Sequence, residues 1–200
     1  MMRPIVAVAL MLPAANLSPL AAQTDYYARL GATFSTALVK DRIISEIEVK
    51  PGLAPTLVLG AALPIAPLYR AGLEATLTSS GYKSEEPGAE SDLGTIRTTA
   101  LTLGLDGPVA SSVRWRAGVG LLRYWPSEDR GIFLQGGTTR FLAGAGLDYR
   151  RPVMTKWDLM ASLRYDYHRF NTDELRARGF SQSQGVQRVS ATIGLGRGAR

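Results

Sequence analysis

The chain has 200 residues, no cysteine and a formal net charge of +6 at pH 7, from 23 basic and 17 acidic side chains. The lack of cysteine excludes disulfides, thiolate chemistry and a lipid-anchored N-terminal cysteine. The basic side chains are scattered along the chain rather than clustered, which argues against a nucleic-acid partner. The length suits a single domain of moderate size.

Residues 1–23 have the layout of an export signal. Arg3 supplies an early positive charge, an apolar run follows over 5–12, and small residues lead up to Ala22. The prolines that interrupt the segment and its short apolar run argue against a membrane-spanning helix. We expect a signal peptide over 1–23 and one exported domain over 24–200.

Apolar and polar residues alternate in eight stretches of the exported domain. Side chains alternate across a strand, so each stretch has one apolar face and one polar face. The stretches have about the ten residues that a tilted strand needs to cross a bilayer. The predicted strands lie near residues 26–38, 53–63, 68–78, 95–105, 113–125, 139–149, 157–167 and 186–195.

The predicted connections between these strands alternate between long and short. Small membrane barrels have long external loops and short periplasmic turns. The sequence therefore predicts an all-β fold, an eight-stranded antiparallel up-and-down transmembrane β-barrel. The long connections lie over 39–52, 79–93, 126–138 and 170–185, and the short ones over 64–67, 106–112 and 150–155.

Ionisable side chains recur on the polar faces of the predicted strands. An eight-stranded barrel is only wide enough for its side chains to fill, so charges inside it must pair. Glycines beside them, such as Gly118 and Gly144, either make room for long arginines or mark bulges. We expect a closed lumen with a charge network of Arg70, Glu74, Arg114, Arg116, Arg140, Asp148, Asp158, Arg164, Asp166 and Arg188.

Aromatic residues on the apolar faces gather near the strand ends. Amphipathic rings are favoured where hydrocarbon meets lipid headgroups, so these residues predict two aromatic girdles. The periplasmic girdle would consist of Tyr26, Tyr69, Tyr149 and Trp157. The external girdle would consist of Tyr82, Trp125, Phe141, Tyr165 and Tyr167.

One cluster near the end of the seventh predicted strand is a candidate for catalysis. It is similar to the stretch with the catalytic histidine of outer-membrane lipid A deacylases, where a nucleophilic serine follows two residues later and an asparagine comes next. His168 and Asn171 match this pattern, but Phe170 occupies the serine position, which closes the acyl-enzyme route. The enzyme alternative would need another serine, such as Ser181 or Ser183 in the fourth long connection, to reach His168. A single histidine and no cysteine argue against a metal site.

The export signal, the eight alternating stretches and the rhythm of the connections resemble the small outer-membrane β-barrel family typified by OmpA and OmpX. The motifs over 140–149 and 189–195 carry the same resemblance. It covers the whole exported domain and is architectural, so it implies fold and location far more than activity. Members usually end their last strand on an aromatic residue, whereas this chain continues past Leu195 to Arg200.

The resemblance implies a location in the cell outer membrane, with its lipid and the barrel-insertion machinery as partners. We expect a monomer with a structural or surface-interaction role, no cofactor and no catalysis. The first alternative is a lipid A-modifying enzyme of the deacylase type. The second is a soluble lipocalin-like barrel, which needs apolar residues inside and would turn Arg114 and Arg164 outward.

Overall fold

The computed structural model describes residues 24–40, 48–86, 89–129, 132–134, 136–177, 179 and 182–197. The predicted signal peptide lies outside these residues. The described residues form ten strands and one short helix: β1 (Asp25–Ser35), β2 (Val39–Lys40), β3 (Glu48–Pro51), β4 (Ala54–Pro64), β5 (Arg70–Glu86), β6 (Ala89–Ala110), β7 (Val113–Pro126), β8 (Thr139–Met154), β9 (Trp157–Phe170), α1 (Asp173–Ala177) and β10 (Gln184–Arg197). No helix among them is long and apolar enough to cross a membrane.

Eight of the strands form a closed antiparallel ring. Their order is β1, β4, β5, β6, β7, β8, β9 and β10, and β10 pairs back onto β1. The closing register runs from Tyr26 opposite Arg197 to Ser35 opposite Arg188. Closure leaves no strand edge of the ring without hydrogen bonds, which a wall facing lipid requires. The predicted all-β, eight-stranded antiparallel barrel is confirmed.

The short strands β2 and β3 lie within a segment that the sequence predicts to be a loop. β3 pairs with the part of β5 beyond the end of β4, where Val49 lies opposite Ser84. The backbone N–H of Gly52 donates to the carbonyl of Gly81 at 2.9 Å between the two pairings. β3 therefore continues the direction of β4 along β5, and β2 pairs with the other edge of β3. The predicted long connection over 39–52 is present, and it contains these two short strands.

The two ends of the barrel differ. The turn end carries the short connections over 65–69, 111–112 and 155–156, together with the start of β1 and the end of β10. The loop end carries the long connections, and it is the external end in barrels of this kind. β1 stops at Ser35, short of the predicted end at Leu38, because Leu38 turns into the interior and is fully buried.

The predicted loop over 79–93 is wrong, because β5 and β6 continue through most of it. Their ladder extends to Glu86 opposite Ala89, and Lys83 forms a salt bridge with Glu90. Tyr82 is the residue of this segment with a high strand propensity. The result is a long hairpin that projects beyond the ring at the loop end.

The apolar faces of the strands point away from the lumen. Leu30 is 64% exposed and Leu103 is 63% exposed, and an apolar band of such residues surrounds the wall. Arg114 and Arg164, by contrast, make ion pairs inside the barrel. This arrangement suits a wall facing lipid. The lipocalin-like alternative is wrong, since it needs the opposite orientation.

Glycines on the inner face bring neighbouring strands together. A Cβ atom on Gly120 would lie 2.0 Å from the carbonyl oxygen of Leu101, and one on Gly118 would lie 2.7 Å from that of Leu103. Gly144 differs, because its Cβ would lie 1.9 Å from a carboxylate oxygen of Asp166. The glycines therefore allow close approach of backbones and of one lumen carboxylate, more than they make room for arginines.

Candidate functional site

The lumen is filled in four layers, and the first is an ionic cluster at the turn end. Arg70 bridges Asp25 and Asp106, with Nη2 2.8 Å from Asp106 Oδ1. Arg114 pairs with the same Asp106 carboxylate. Arg150 Nη1 lies 3.0 Å from Asp25 Oδ2. These five side chains, the turn-end cluster, join residues from strands β1, β5, β6, β7 and β8.

The second layer, the central cluster, is built around Glu74, which is 3% exposed. Arg29 and Arg116 both bind its Oε2 atom, and Arg164 Nη1 lies 2.8 Å from its Oε1 atom. The hydroxyl of Tyr27 donates to Oε2 at 3.1 Å. One carboxylate thus fastens three arginines of three different strands.

Two further carboxylates complete the central cluster. Asp148 lies 3.0 Å from Arg29 Nη1 and 2.7 Å from Arg116 Nη2. Asp166 Oδ1 accepts from Arg164 Nε at 2.7 Å. With Glu74, three carboxylates balance three arginines, as burial of charge requires. The adjoining cavity has a volume of about 10 Å³, which is room for about one water molecule.

The third layer is made of hydroxyl groups around one arginine. Arg188 Nη2 lies 3.2 Å from the Thr98 hydroxyl, and the hydroxyls of Thr33 and Ser190 are 2.8 Å apart. Hydroxyls both donate and accept, so they can solvate a buried guanidinium. The hydroxyl layer consists of Arg188, Thr33, Thr56, Thr78, Thr98 and Ser190.

The fourth layer is apolar, which the sequence prediction of a wholly ionic lumen missed. Phe133, from the connection between β7 and β8, is fully buried, and its ring centroid lies 5.7 Å from that of Phe170 and 6.0 Å from that of Tyr124. Buried side chains from three connections reach into this end of the lumen. The apolar plug consists of Leu38, Val39, Val49, Tyr82, Ile96, Ala100, Leu122, Tyr124, Ile132, Phe133, Leu142, Phe170, Leu175 and Val186.

Tyr82 belongs to this plug and is fully buried. The prediction that it faces lipid in the external girdle is wrong, because Tyr82 has the same parity on β5 as the buried Glu74 and Thr78 and therefore points into the lumen. The other aromatic residues of the predicted girdles point outward and are each at least 41% exposed. They are Tyr26, Tyr69, Tyr149 and Trp157 near the turn end, and Trp125, Phe141, Tyr165 and Tyr167 toward the loop end.

The structure brings together seven of the ten predicted lumen charges in the two ionic clusters, and an eighth, Arg188, lies in the hydroxyl layer. Arg140 is set apart: no ion pair among the described residues includes it, and its guanidinium lies 6.0 Å from the Phe170 ring centroid. Asp158 is half-buried near the turn end. The seven residues brought together are Arg70, Glu74, Arg114, Arg116, Asp148, Arg164 and Asp166.

Four lumen charges escaped the sequence prediction: Asp25, Arg29, Asp106 and Arg150. Each makes ion pairs in the two clusters. The alternation itself could have found them, because each stands next to an outward residue, as Arg29 stands next to Leu30. Asp25, Asp106 and Arg150 each lie one residue beyond the end of a predicted strand, where the faces are hardest to assign.

The catalytic alternative finds no constellation in the described residues. His168 is 1% exposed, and its Nε2 atom lies 2.6 Å from the Tyr124 hydroxyl. Phe170 is buried in the apolar plug, and Ser183 is exposed, whereas Ser181 lies outside the described residues. No group of three or more potential metal ligands occurs in the part of the chain that the structure describes.

No protein-family model and no curated protein matches the chain. Its fold is similar to that of solved outer-membrane proteins. OprG from Pseudomonas aeruginosa shares 16% identity at a TM-score of 0.51, covering 88% of this chain and 95% of that one. Neisserial surface protein A shares 12% identity at a TM-score of 0.53, and the match covers 88% of this chain and 96% of that one. AlkL, solved by solid-state NMR in lipid bilayers, shares 12% identity at a TM-score of 0.54, and the match covers 88% of this chain and 90% of that one. The chain therefore has the fold of the small outer-membrane β-barrels.

Proposed function

We propose that the protein is an integral barrel of the cell outer membrane, with a closed lumen, and that its role is structural or interactive at the cell surface. The observation that carries this proposal is the four-layer filling of the lumen. Paired charges occupy the turn-end half, and apolar side chains occupy the loop end. A signal peptide over 1–23 and the barrel-insertion machinery would deliver the chain to this membrane.

The layers block the lumen by different physical means. An ion or solute entering from the turn end meets arginines and carboxylates that already satisfy one another. At the loop end it meets the apolar plug, which offers an ion no hydration. An eight-stranded barrel has only enough interior for its own side chains. The fold thus serves as a rigid anchor rather than as a conduit.

The loop end is the part of the barrel available for contacts at the cell surface. The hairpin of β5 and β6 projects beyond the ring, and its Lys83, Glu85, Glu90 and Asp92 side chains are exposed. Opposite charges are interspersed there, which suits contact with a polar surface more than with lipid. Because one chain closes the ring by itself, the barrel is complete as a monomer.

Planar-bilayer recording of the reconstituted full chain tests the closed lumen. We expect no steady porin-sized conductance, while a sixteen-stranded porin in the same bilayers gives regular steps. Heat-modifiable gel mobility of the same preparation verifies that the barrel is folded. Reproducible large steps from folded protein would refute the closed lumen.

The deacylase alternative requires an accessible histidine beside a nucleophilic hydroxyl. His168 instead lies inside the lumen against Tyr124, and the position of the nucleophile holds the buried Phe170. Release of fatty acid from lipid A by the folded barrel would revive this alternative.

A further inference from the structure

Two arginines lie next to each other on the outer face of the wall, toward the loop end of β6 and β7. Arg97 on β6 and Arg123 on β7 are exposed, and their chain neighbours Thr98 and Tyr124 are buried in the lumen. No ion pair among the described residues includes either arginine. A charge at the boundary of the hydrocarbon gains much from a counter-ion, and no described side chain supplies one to either arginine.

The register holds these two arginines close together. Arg97 lies opposite Trp125, and Arg123 lies opposite Thr99, so the arginines are diagonal neighbours on adjacent strands. Such diagonal pairs are about 7–8 Å apart, within reach of long side chains and of one anion between them. The Arg123 guanidinium carbon lies 4.2 Å from the Trp125 ring centroid, and Nη1 donates to the Thr139 hydroxyl at 3.3 Å. The position of Arg123 is therefore defined by two contacts.

An apolar groove leads up the wall to this pair. Hydrogen-bonded registers join five outward residues into one row across β1, β4, β5, β6 and β7: Leu30, Leu57, Leu77, Thr99 and Arg123. The row climbs toward the loop end, since its first member lies in the middle of β1 and its last lies near the loop end of β7. A surface groove of about 760 Å³ follows the first four members of the row and ends beside Arg97 and Trp125, next to Arg123.

We propose that this groove binds one lipid molecule of the loop-end leaflet through a phosphate-bearing headgroup. The acyl chain lies along the leucines, and the phosphate lies between the two guanidinium groups. A guanidinium presents parallel N–H donors that match phosphate oxygens, which a point charge does not. Trp125 sits at the same level, where an indole ring is favoured at the membrane interface. The phosphate of the bound lipid thus supplies a counter-ion to the two arginines, and its acyl chain covers the apolar row.

Fluorescence quenching at Trp125 tests the site in the full barrel. Trp115→Phe and Trp157→Phe leave Trp125 as the only indole, since the chain has three tryptophans. The protein is reconstituted in phosphatidylcholine bilayers that contain a minor share of brominated phosphatidylglycerol or of brominated phosphatidylcholine. We expect the anionic lipid to quench at lower mole fraction, with its advantage falling about fivefold for each arginine replaced, in Arg97→Gln and Arg123→Gln.

Arg169→Gln is the matched control, because Arg169 is an exposed arginine near the loop end of β9, away from the groove. It should leave the preference unchanged, and Arg97→Lys with Arg123→Lys should keep only part of it. Quenching normalised to unquenched emission removes any direct effect of Arg123 on the indole. Gel mobility establishes that each variant is folded.

Several results would overturn the proposal. One is an equal preference for the anionic lipid in the double glutamine variant. Another is loss of that preference when inorganic phosphate is added at the same anion concentration, which would assign the arginines to a soluble anion. A third is lipid quenching that falls as more barrels are packed into each vesicle, which would assign the groove to a second copy of the chain.

Discussion

Arg164 Nη1 lies 2.8 Å from Glu74 Oε1, although ninety residues separate them along the chain. The contact crosses the lumen from β9 to β5, which are not neighbours in the ring. With Arg29 and Arg116 on its other oxygen, Glu74 ties four strands together through side chains alone. The ladder of backbone hydrogen bonds runs around the wall, and the central cluster braces it from within.

Glu74→Ala should lower the free energy of unfolding by about 3–5 kcal/mol, because it leaves three buried arginines with two carboxylates. Urea unfolding in lipid vesicles measures this. Glu90→Gln is the control, since Glu90 and its partner Lys83 are both exposed and the pair is solvated, so no measurable change is expected. Unchanged stability of Glu74→Ala would contradict the central cluster.

Phe133→Ala should open the loop end of the lumen. The side chain is fully buried against Tyr82, Tyr124 and Phe170, so truncation leaves a cavity and costs about 3–5 kcal/mol. Leu134→Ala, at the exposed next position, should cost much less. Faster proteolysis of the β7–β8 connection in Phe133→Ala, measured on the folded barrel, is the second readout. Equal effects of the two substitutions would mean that Phe133 does not anchor the plug.

A charge on the lipid-facing wall should be far more harmful than the same charge in a connection. Leu163 and Leu134 match in residue type and exposure, at 56% and 54%, but only Leu163 lies on a strand of the ring. Leu163→Arg should destabilise the barrel in lipid by about 2–4 kcal/mol, whereas Leu134→Arg meets water. Folding yield into vesicles compares them. If both were tolerated equally, the apolar band would not be in hydrocarbon.

Gly60→Ala should disturb the central cluster, because the added methyl group would push against the Tyr27 ring. A Cβ atom there would lie 2.2 Å from Tyr27 Cζ and 2.4 Å from the hydroxyl that donates to Glu74. Displacing this ring should cost about 1–3 kcal/mol as an overpacked core does. Gly52→Ala is the control, since its Cβ would meet only an ordinary contact at 3.5 Å. Thermal unfolding monitored by gel mobility distinguishes them, and identical midpoints would show that the Tyr27 ring moves freely.

The sequence by itself determined the number of wall strands, their approximate places and the inside-out orientation. These follow from alternation of period two, which is a local property of each stretch. The sequence also placed most lumen charges on the inner face, because odd and even positions of a strand point to opposite sides of the wall. The sequence did not predict the long hairpin, because serine and charged residues such as those over 79–86 occur in loops and in solvated strands alike.

Only the tertiary structure decided which charges meet and what closes the loop end. Arg188 and Arg164 have the same parity on neighbouring strands, yet one lies among hydroxyls and the other binds Glu74. The difference depends on strand stagger around the closed ring, which no single stretch encodes. Phe133 likewise belongs to a connection without alternation, so its burial depends on the fold of the loop over the barrel mouth. Contacts across the lumen join residues far apart in the chain, and their register is set only when the ring closes.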